Sequence, residues 1–224
     1  MKGVIFDFDG VLVDSFEIHS QMWRQAYQIV FGTTMPDYPR KKLTGRASGE
    51  IALFLATQIG KTDRAEVLAE TKLSLMLSST LYPSLLEGVE EVVDLLQAKK
   101  VPYGIVSNGS RRYITKILTH YNLAFTVVLG YEDCARKKPH PDPYLACAKK
   151  LNIPSSFNSR VLVFEDSPTG IQAGDAAGMY CIGISSNFQE KLLINKGARE
   201  VFGSLKEFLV SGSMEALFDQ GKRI

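Results

Sequence analysis

The sequence predicts an α/β fold, a doubly wound parallel sheet with an all-helical segment inserted after its first strand. Three observations carry this. Short apolar, β-branched runs alternate with helical patterns from residue 83 onward. Residues 17–82 contain helical patterns and turns but no convincing strand. Acidic and polar residues follow several of the predicted strands, at the edge where open parallel sheets bind ligands. The expected division is a Rossmann-like core of residues 1–16 and 83–224 and a helical cap of residues 17–82.

Val4, Ile5 and Phe6 open the chain as a strand. Asp7 and Asp9 follow, two apart, so an extended backbone places them on one side, and Gly10 lets the chain turn. Asp14 and Glu17 have capping-box spacing ahead of a helix whose Ile18, Met22, Ala26 and Ile29 recur at helical intervals. Gly32–Pro39 is turn-rich, and Leu43–Gly49 is a second loop of small residues. Helices are expected near Glu50–Ile59 and over Asp63–Ser79.

After Tyr82-Pro83 the pattern alternates. Helix Gly88–Lys99 precedes strand Tyr103–Val106, which ends at Ser107-Asn108-Gly109. Ser110 is placed to cap helix Arg111–Tyr121. Strand Thr126–Leu129, a loop to Pro141 and a helix opened by Asp142-Pro143 come next. Strand Val161–Phe164 ends at Glu165-Asp166, and Ser167-Pro168 starts a helix closed by Gly178. Strand Tyr180–Ile184 and weaker helices near Lys191 and Leu205–Leu209 complete the pattern.

Composition limits the function. The 224 residues carry 26 basic and 24 acidic side chains, a net charge of +2, which suggests neither a nucleic-acid nor a membrane partner. Arg40-Lys41-Lys42 reads as a solvated loop. Three cysteines without CxxC spacing point to a reduced compartment. Asp7 and Asp9 interrupt the first apolar run, so a signal peptide is not expected there, and no run approaches a membrane span. A cytoplasmic monomer is expected.

The strand-end residues have chemistry in common. Asp7 is the more strand-like acid and a natural nucleophile, and Asp9 is placed for general acid–base work. Ser107 offers a hydroxyl, and Asn108 and Gly109 offer amides near a helix N-terminus. Lys138 supplies a positive charge. With Glu165 and Asp166 added, the acids would repel one another unless a cation joined them, and Mg²⁺ suits an all-oxygen site. Together these groups suggest phosphoryl transfer on a small phosphorylated metabolite.

The set resembles the haloacid dehalogenase-like phosphohydrolases. Their first motif, Asp-x-Asp-Gly-x-[Leu/Val]-x-Asp-[Ser/Thr], matches Asp7 to Ser15. Ser107-Asn108, Lys138 and Glu165-Asp166-Ser167-Pro168-Thr169-Gly170 resemble the second, third and fourth. The resemblance implies an aspartyl-phosphate on Asp7 and an acid–base role for Asp9. It implies Mg²⁺ held by Asp7, the Asp9 carbonyl and Asp166, with Glu165 supporting through water, and a phosphoryl group held by Ser107, Asn108 and Lys138. The subgroup looks like that of beta-phosphoglucomutase and small sugar-phosphate phosphatases. In it, cap positions similar to His19, Gly45, Arg46 and Lys72 face the substrate.

The mutases carry Ser-x-Ser-Lys after the second strand, where this chain has Ser107-Asn108-Gly109-Ser110-Arg111. They also carry Leu-x-Gly-x-Ser-Arg in the cap, where this chain has Leu43-Thr44-Gly45-Arg46-Ala47-Ser48-Gly49. The expected function is therefore a Mg²⁺-dependent phosphatase, with a phosphoglucomutase-like isomerase as the alternative. A two-carboxylate dehalogenase, a response-regulator-like domain and a silent binding module fit the acids and the insert less well.

Overall fold

The computed structural model describes residues 1–38 and 44–213. The basic run Arg40-Lys41-Lys42 lies outside the described residues. Six parallel strands form the main sheet: β1 (Gly3–Phe6), β4 (Tyr103–Val106), β5 (Val127–Leu129), β6 (Val161–Glu165), β7 (Tyr180–Ile184) and β8 (Glu200–Phe202). Their order is β5-β4-β1-β6-β7-β8, so the chain moves outward on one side of β1 and then returns to its other side. The reversal leaves a crevice at the C-terminal end of β1, the usual place for a ligand in this architecture.

Both faces of the sheet are covered, and the strand residues alternate between them. Val4 and Phe6 pack with α4 (Val89–Ala98), α5 (Arg111–His120) and α9 (Leu205–Val210). Ile5 packs with α6 (Asp142–Lys150) and α7 (Pro168–Ala176). β6 divides the same way, with Leu162 and Phe164 on the first face and Val161 and Val163 on the second. This is why these strands read as continuous apolar runs. Phe6 stacks on Phe164 at 5.3 Å between ring centroids. The remaining helix of the core, α8 (Glu190–Ile194), buries Leu193.

The inserted helices are α1 (Phe16–Phe31), α2 (Ser48–Thr57) and α3 (Ala65–Ser78). They enclose a core of their own around Trp23, Tyr27, Leu55 and Leu68. The chain is thus a Rossmann-like core carrying a helical cap. The cap is tied down where it returns to the core. Lys116 Nζ, on α5, donates to the carbonyls of Met76 at 2.9 Å and Leu77 at 3.1 Å, and also to that of Ser79. These are carbonyls that the end of α3 leaves without helical partners. Tyr121 donates to the Pro83 carbonyl at 2.8 Å.

Several local expectations change. Asp14 does not cap α1; it lies in β2 (Val13–Asp14), which pairs antiparallel with β3 (Ser84–Leu85) where the chain leaves and re-enters the core. Ser15 takes the N-cap position, but its hydroxyl turns to Asp9. Ser110 precedes α5 without capping it, because its hydroxyl donates to Glu132. Asp142 is the first residue of α6 and forms a forked ion pair with Arg136. Ser167 does cap its helix, accepting from the Gly170 amide at 3.1 Å. β8 was not expected. It is three half-buried residues at a sheet edge, too short and too polar for a strand signal.

Candidate active site

Every strand-end residue singled out above lines one cavity of about 110 Å³. Asp7 leaves the end of β1, Ser107 and Asn108 follow β4, Lys138 comes from the loop after β5, and Glu165 and Asp166 close β6. The cap contributes His19, Arg46 and Trp23.

Lys138 is the charge centre. It is 4% exposed, and its ammonium meets Asp7 Oδ1 at 2.6 Å, the Val106 carbonyl at 2.9 Å and Glu165 Oε1. Glu165 is fully buried. It also accepts from the Tyr144 hydroxyl at 3.0 Å and from the Ser167 amide and hydroxyl at 3.0 and 2.9 Å. Burial alone would lower the lysine, but the Asp7 and Glu165 carboxylates outweigh it and hold Lys138 protonated.

Asp7, Glu165 and Asp166 bring carboxylate oxygens within 4.8 Å of one another. Burial, then the Glu165 charge, pushes Asp7 well above the ordinary carboxylate range, with Lys138 opposing. The same causes raise Asp166 to about 8, opposed by a hydrogen bond from Asn187. Three buried carboxyls thus face one buried ammonium, and Asp7 and Asp166 hold their protons more tightly than usual for want of a second positive charge. A divalent cation is the charge this cluster lacks, and the oxygen donors are those that suit Mg²⁺. Gly10, at φ 85°, is required here, because a side chain would collide with the Asp166 carboxylate.

Asp9 occupies a different environment. Its Oδ1 accepts from Ser15 at 2.5 Å and lies 3.3 Å from His19 Nε2. His19 Nδ1 lies 2.9 Å from Lys72 Nζ, a cap lysine that is 3% exposed. The lysine can only donate, so Nδ1 accepts and Nε2 carries the proton toward Asp9. Burial, then the Lys72 charge, keeps His19 below its usual value, so it is neutral at pH 7. Burial also brings Lys72 down to about 8. Burial acts to raise Asp9, but His19, Ser15 and Lys72 together outweigh it and hold the carboxyl below its usual range. The two acids of the first motif are therefore tuned apart, Asp7 upward and Asp9 downward.

One expectation about the anion site is revised. The Gly109 amide is engaged by Ser107 Oγ at 2.9 Å, so it is not offered to a ligand. The Ser107 hydroxyl accepts that bond and keeps its own hydrogen to donate outward. Asn108 Nδ2 donates to the Gly45 carbonyl of the cap at 3.2 Å, and Thr169 Oγ1 meets the same carbonyl at 3.2 Å. These bonds fasten the cap loop over the site. Arg46 lines the cavity and is exposed.

Three participants escaped the sequence reading. Asn187, in the loop after β7, donates to Asp166, while its Oδ1 is buried without a partner among the described residues. Tyr144 on α6 supports Glu165 from behind. Tyr113 on α5 packs edge-on against His19, with ring centroids 5.7 Å apart. Burial, then the Asp9 charge, pushes its hydroxyl far above the usual range, so it stays protonated. Tyr144 and Tyr113 read as core positions on their helices, and Asn187 as a loop residue; no local signal distinguishes them.

A family model described as haloacid dehalogenase-like hydrolase matches residues 4–184. The chain is 28% identical over 194 residues to a validoxylamine A 7'-phosphate phosphatase of Streptomyces hygroscopicus subsp. limoneus, covering 86% of this chain and 89% of that protein. It is 29% identical over 214 residues to a phosphoglycolate phosphatase of Escherichia coli, covering 84% and 82%. Among solved structures, the fold is similar to that of a beta-phosphoglucomutase from Clostridium difficile, with TM-score 0.78, 23% identity and 98% of each chain covered.

Proposed function

The chain belongs to the haloacid dehalogenase-like hydrolases and is a phosphoric monoester hydrolase of that family; we propose that it hydrolyses a small phosphorylated metabolite, of the sugar-phosphate class, through an aspartyl-phosphate on Asp7. The observation that carries this reading is the convergence of Asp7, Glu165 and Asp166 around the buried Lys138 in one cavity that Asp9 and Ser107 also line. Mg²⁺, when bound, would supply charge neutralisation between the acids and the phosphoryl oxygens. Asp7, the Asp9 carbonyl and Asp166 would hold it, with Glu165 adding charge from behind.

A phosphoryl oxygen takes the Lys138 hydrogen that the free site gives to Asp7, and the Ser107 hydroxyl donates to another, so the phosphorus is aimed at Asp7. An Asp7 oxygen forms a bond to phosphorus as the bond to the ester oxygen breaks. Asp9 gives that ester oxygen its proton, and the alcohol leaves. Asp9 is ionised in the free site, and the phosphate charge arriving beside it raises its carboxyl so that it can take up this proton. In the second half, Asp9 removes a proton from water as the water attacks phosphorus. The acyl phosphate bond breaks, inorganic phosphate forms and Asp7 returns. His19, with Nε2 3.3 Å from Asp9 Oδ1, stays beside Asp9 throughout and favours its ionised form. The cap, taken as residues 17–82, limits access of water to the site.

Transfer to water, rather than back to a sugar hydroxyl, is favoured by Arg111. It pairs with Asp133 at 3.2 Å instead of offering a second phosphate clamp. The test is phosphate release from a panel of phosphorylated metabolites, with Mg²⁺ and with EDTA. In parallel, β-glucose-1-phosphate with a trace of its bisphosphate is followed for glucose-6-phosphate and free phosphate. Release that depends on Mg²⁺ is expected. Rapid isomer formation with little free phosphate would reverse the reading toward a mutase.

A further inference from the structure

A second cavity, of about 440 Å³, lies beside the catalytic one, between cap helices α2 and α3 and core helix α5. His19, Ser48 and Gly109 line both, so the two adjoin there. A leaving group that extends past His19 and Gly109 enters the second space.

Tyr113 lines that second space and is 2% exposed. Its ring is held edge-on by Phe8 at 6.5 Å and by His19 at 5.7 Å. Its hydroxyl has no hydrogen-bond partner among the described residues. Phenylalanine would make the same ring contacts without the cost of an unpaired buried hydroxyl. Lys72 lines the same space and its Nζ donates to His19 Nδ1, with no bond to the Tyr113 hydroxyl. At the opening, the exposed acids Glu66 and Glu70 disfavour a leaving group that carries a carboxylate.

We propose that Tyr113 is a specificity-determining residue, whose hydroxyl donates to a hydroxyl oxygen of an uncharged, polyhydroxylated leaving group of hexose size or larger. The inference rests on the phosphatase reading and deepens it. Sugar and cyclitol esters carry hydroxyls further from the phosphorus than glycolate and glycerol esters do, so they have the longer reach the contact requires.

The experiment compares wild type with Tyr113→Phe in two measurements. The first is thermal melting without ligand, where removal of the unpaired hydroxyl should raise Tm by about 2 to 4 °C. The second is kcat/KM with Mg²⁺ for hexose phosphates and for glycerol 3-phosphate. The hexose-to-glycerol ratio should fall about threefold to tenfold, the value of one neutral hydrogen bond. A lower Tm would show that the hydroxyl holds the fold, and an unchanged ratio would show that it does not touch the substrate; either overturns the proposal. Failure of every ester to release phosphate would instead remove the phosphatase reading. The proposal would then stand or fall on whether hexose phosphates raise the Tm of wild type more than that of Tyr113→Phe, equal shifts overturning it.

Discussion

Replacing Lys138 by methionine tests the charge balance of the site most directly. Methionine keeps an aliphatic stem of similar length and removes the ammonium. The variant loses the contacts to Asp7 Oδ1, Glu165 Oε1 and the Val106 carbonyl, and a cation–π contact with Tyr144 at 5.1 Å. Asp7 and Glu165 then remain buried without their cation. Removing one partner of a buried ion pair costs about 3 to 5 kcal/mol. For a chain of this size that lowers Tm by roughly 6 to 20 °C. The loss depends on pH. Without Lys138, the Asp7 carboxyl lies further above its unfolded value, so the stability it contributes is present at low pH and disappears as pH rises through the folded value. The gap between variant and wild type should therefore be wide at pH 8 and narrow at pH 5. The assay is metal-free thermal melting at both pH values, with circular dichroism to confirm a native fold. A variant that melts within about 2 °C of wild type at pH 8 would refute the assignment of Lys138 as the balancing charge.

Other outcomes follow from the same geometry. Asp7→Asn should abolish turnover in a protein that still folds, and Asp9→Asn should lower kcat about 100- to 10,000-fold; a few percent of residual activity in Asp7→Asn would end its role as nucleophile. Metal-free wild type should lose stability as pH rises from about 4 through about 8, because Asp7 and Asp166 are raised in the folded state, and Mg²⁺ should flatten that dependence; a melting profile that ignores Mg²⁺ at pH 8 would contradict the metal assignment. Arg46→Ala should change the ranking of substrates more than the Mg²⁺ requirement, measured on the same panel, since Arg46 lines the cavity from the cap and lies outside the acidic cluster.

The parts of this protein legible in its sequence are those written at short range. Asp7 and Asp9 were legible as acids just past the end of the first strand, though the chain bends at Phe8 and gives them different surroundings, and the alternation of strands and helices put Ser107, Lys138 and Asp166 on the same rim. Sheet register then brought them into one cavity, because parallel strands align their C-terminal ends. The helical insert was legible as a stretch of 3.6-residue patterns without strands. The local caps were less so. Asp14 and Ser110 have the right residue types, but tertiary partners drew the chain or the hydroxyl elsewhere.

What only the tertiary structure decided are the contacts between residues far apart in the chain. Lys72 sits 53 residues from His19 and reads as a solvated lysine, yet it is buried against the imidazole and fixes its tautomer. Glu165 and Lys138, 27 residues apart, form an ion pair that Tyr144 and Ser167 complete from two other elements. Tyr113 has the helical spacing of a core residue, and only the docked cap shows its hydroxyl unpaired beside a cavity. Local spacing determined which groups stand at the strand ends, because backbone geometry repeats over a few residues. Charge states and pairings depend on burial and on what folds against each group, and the order of residues along the chain does not carry that information.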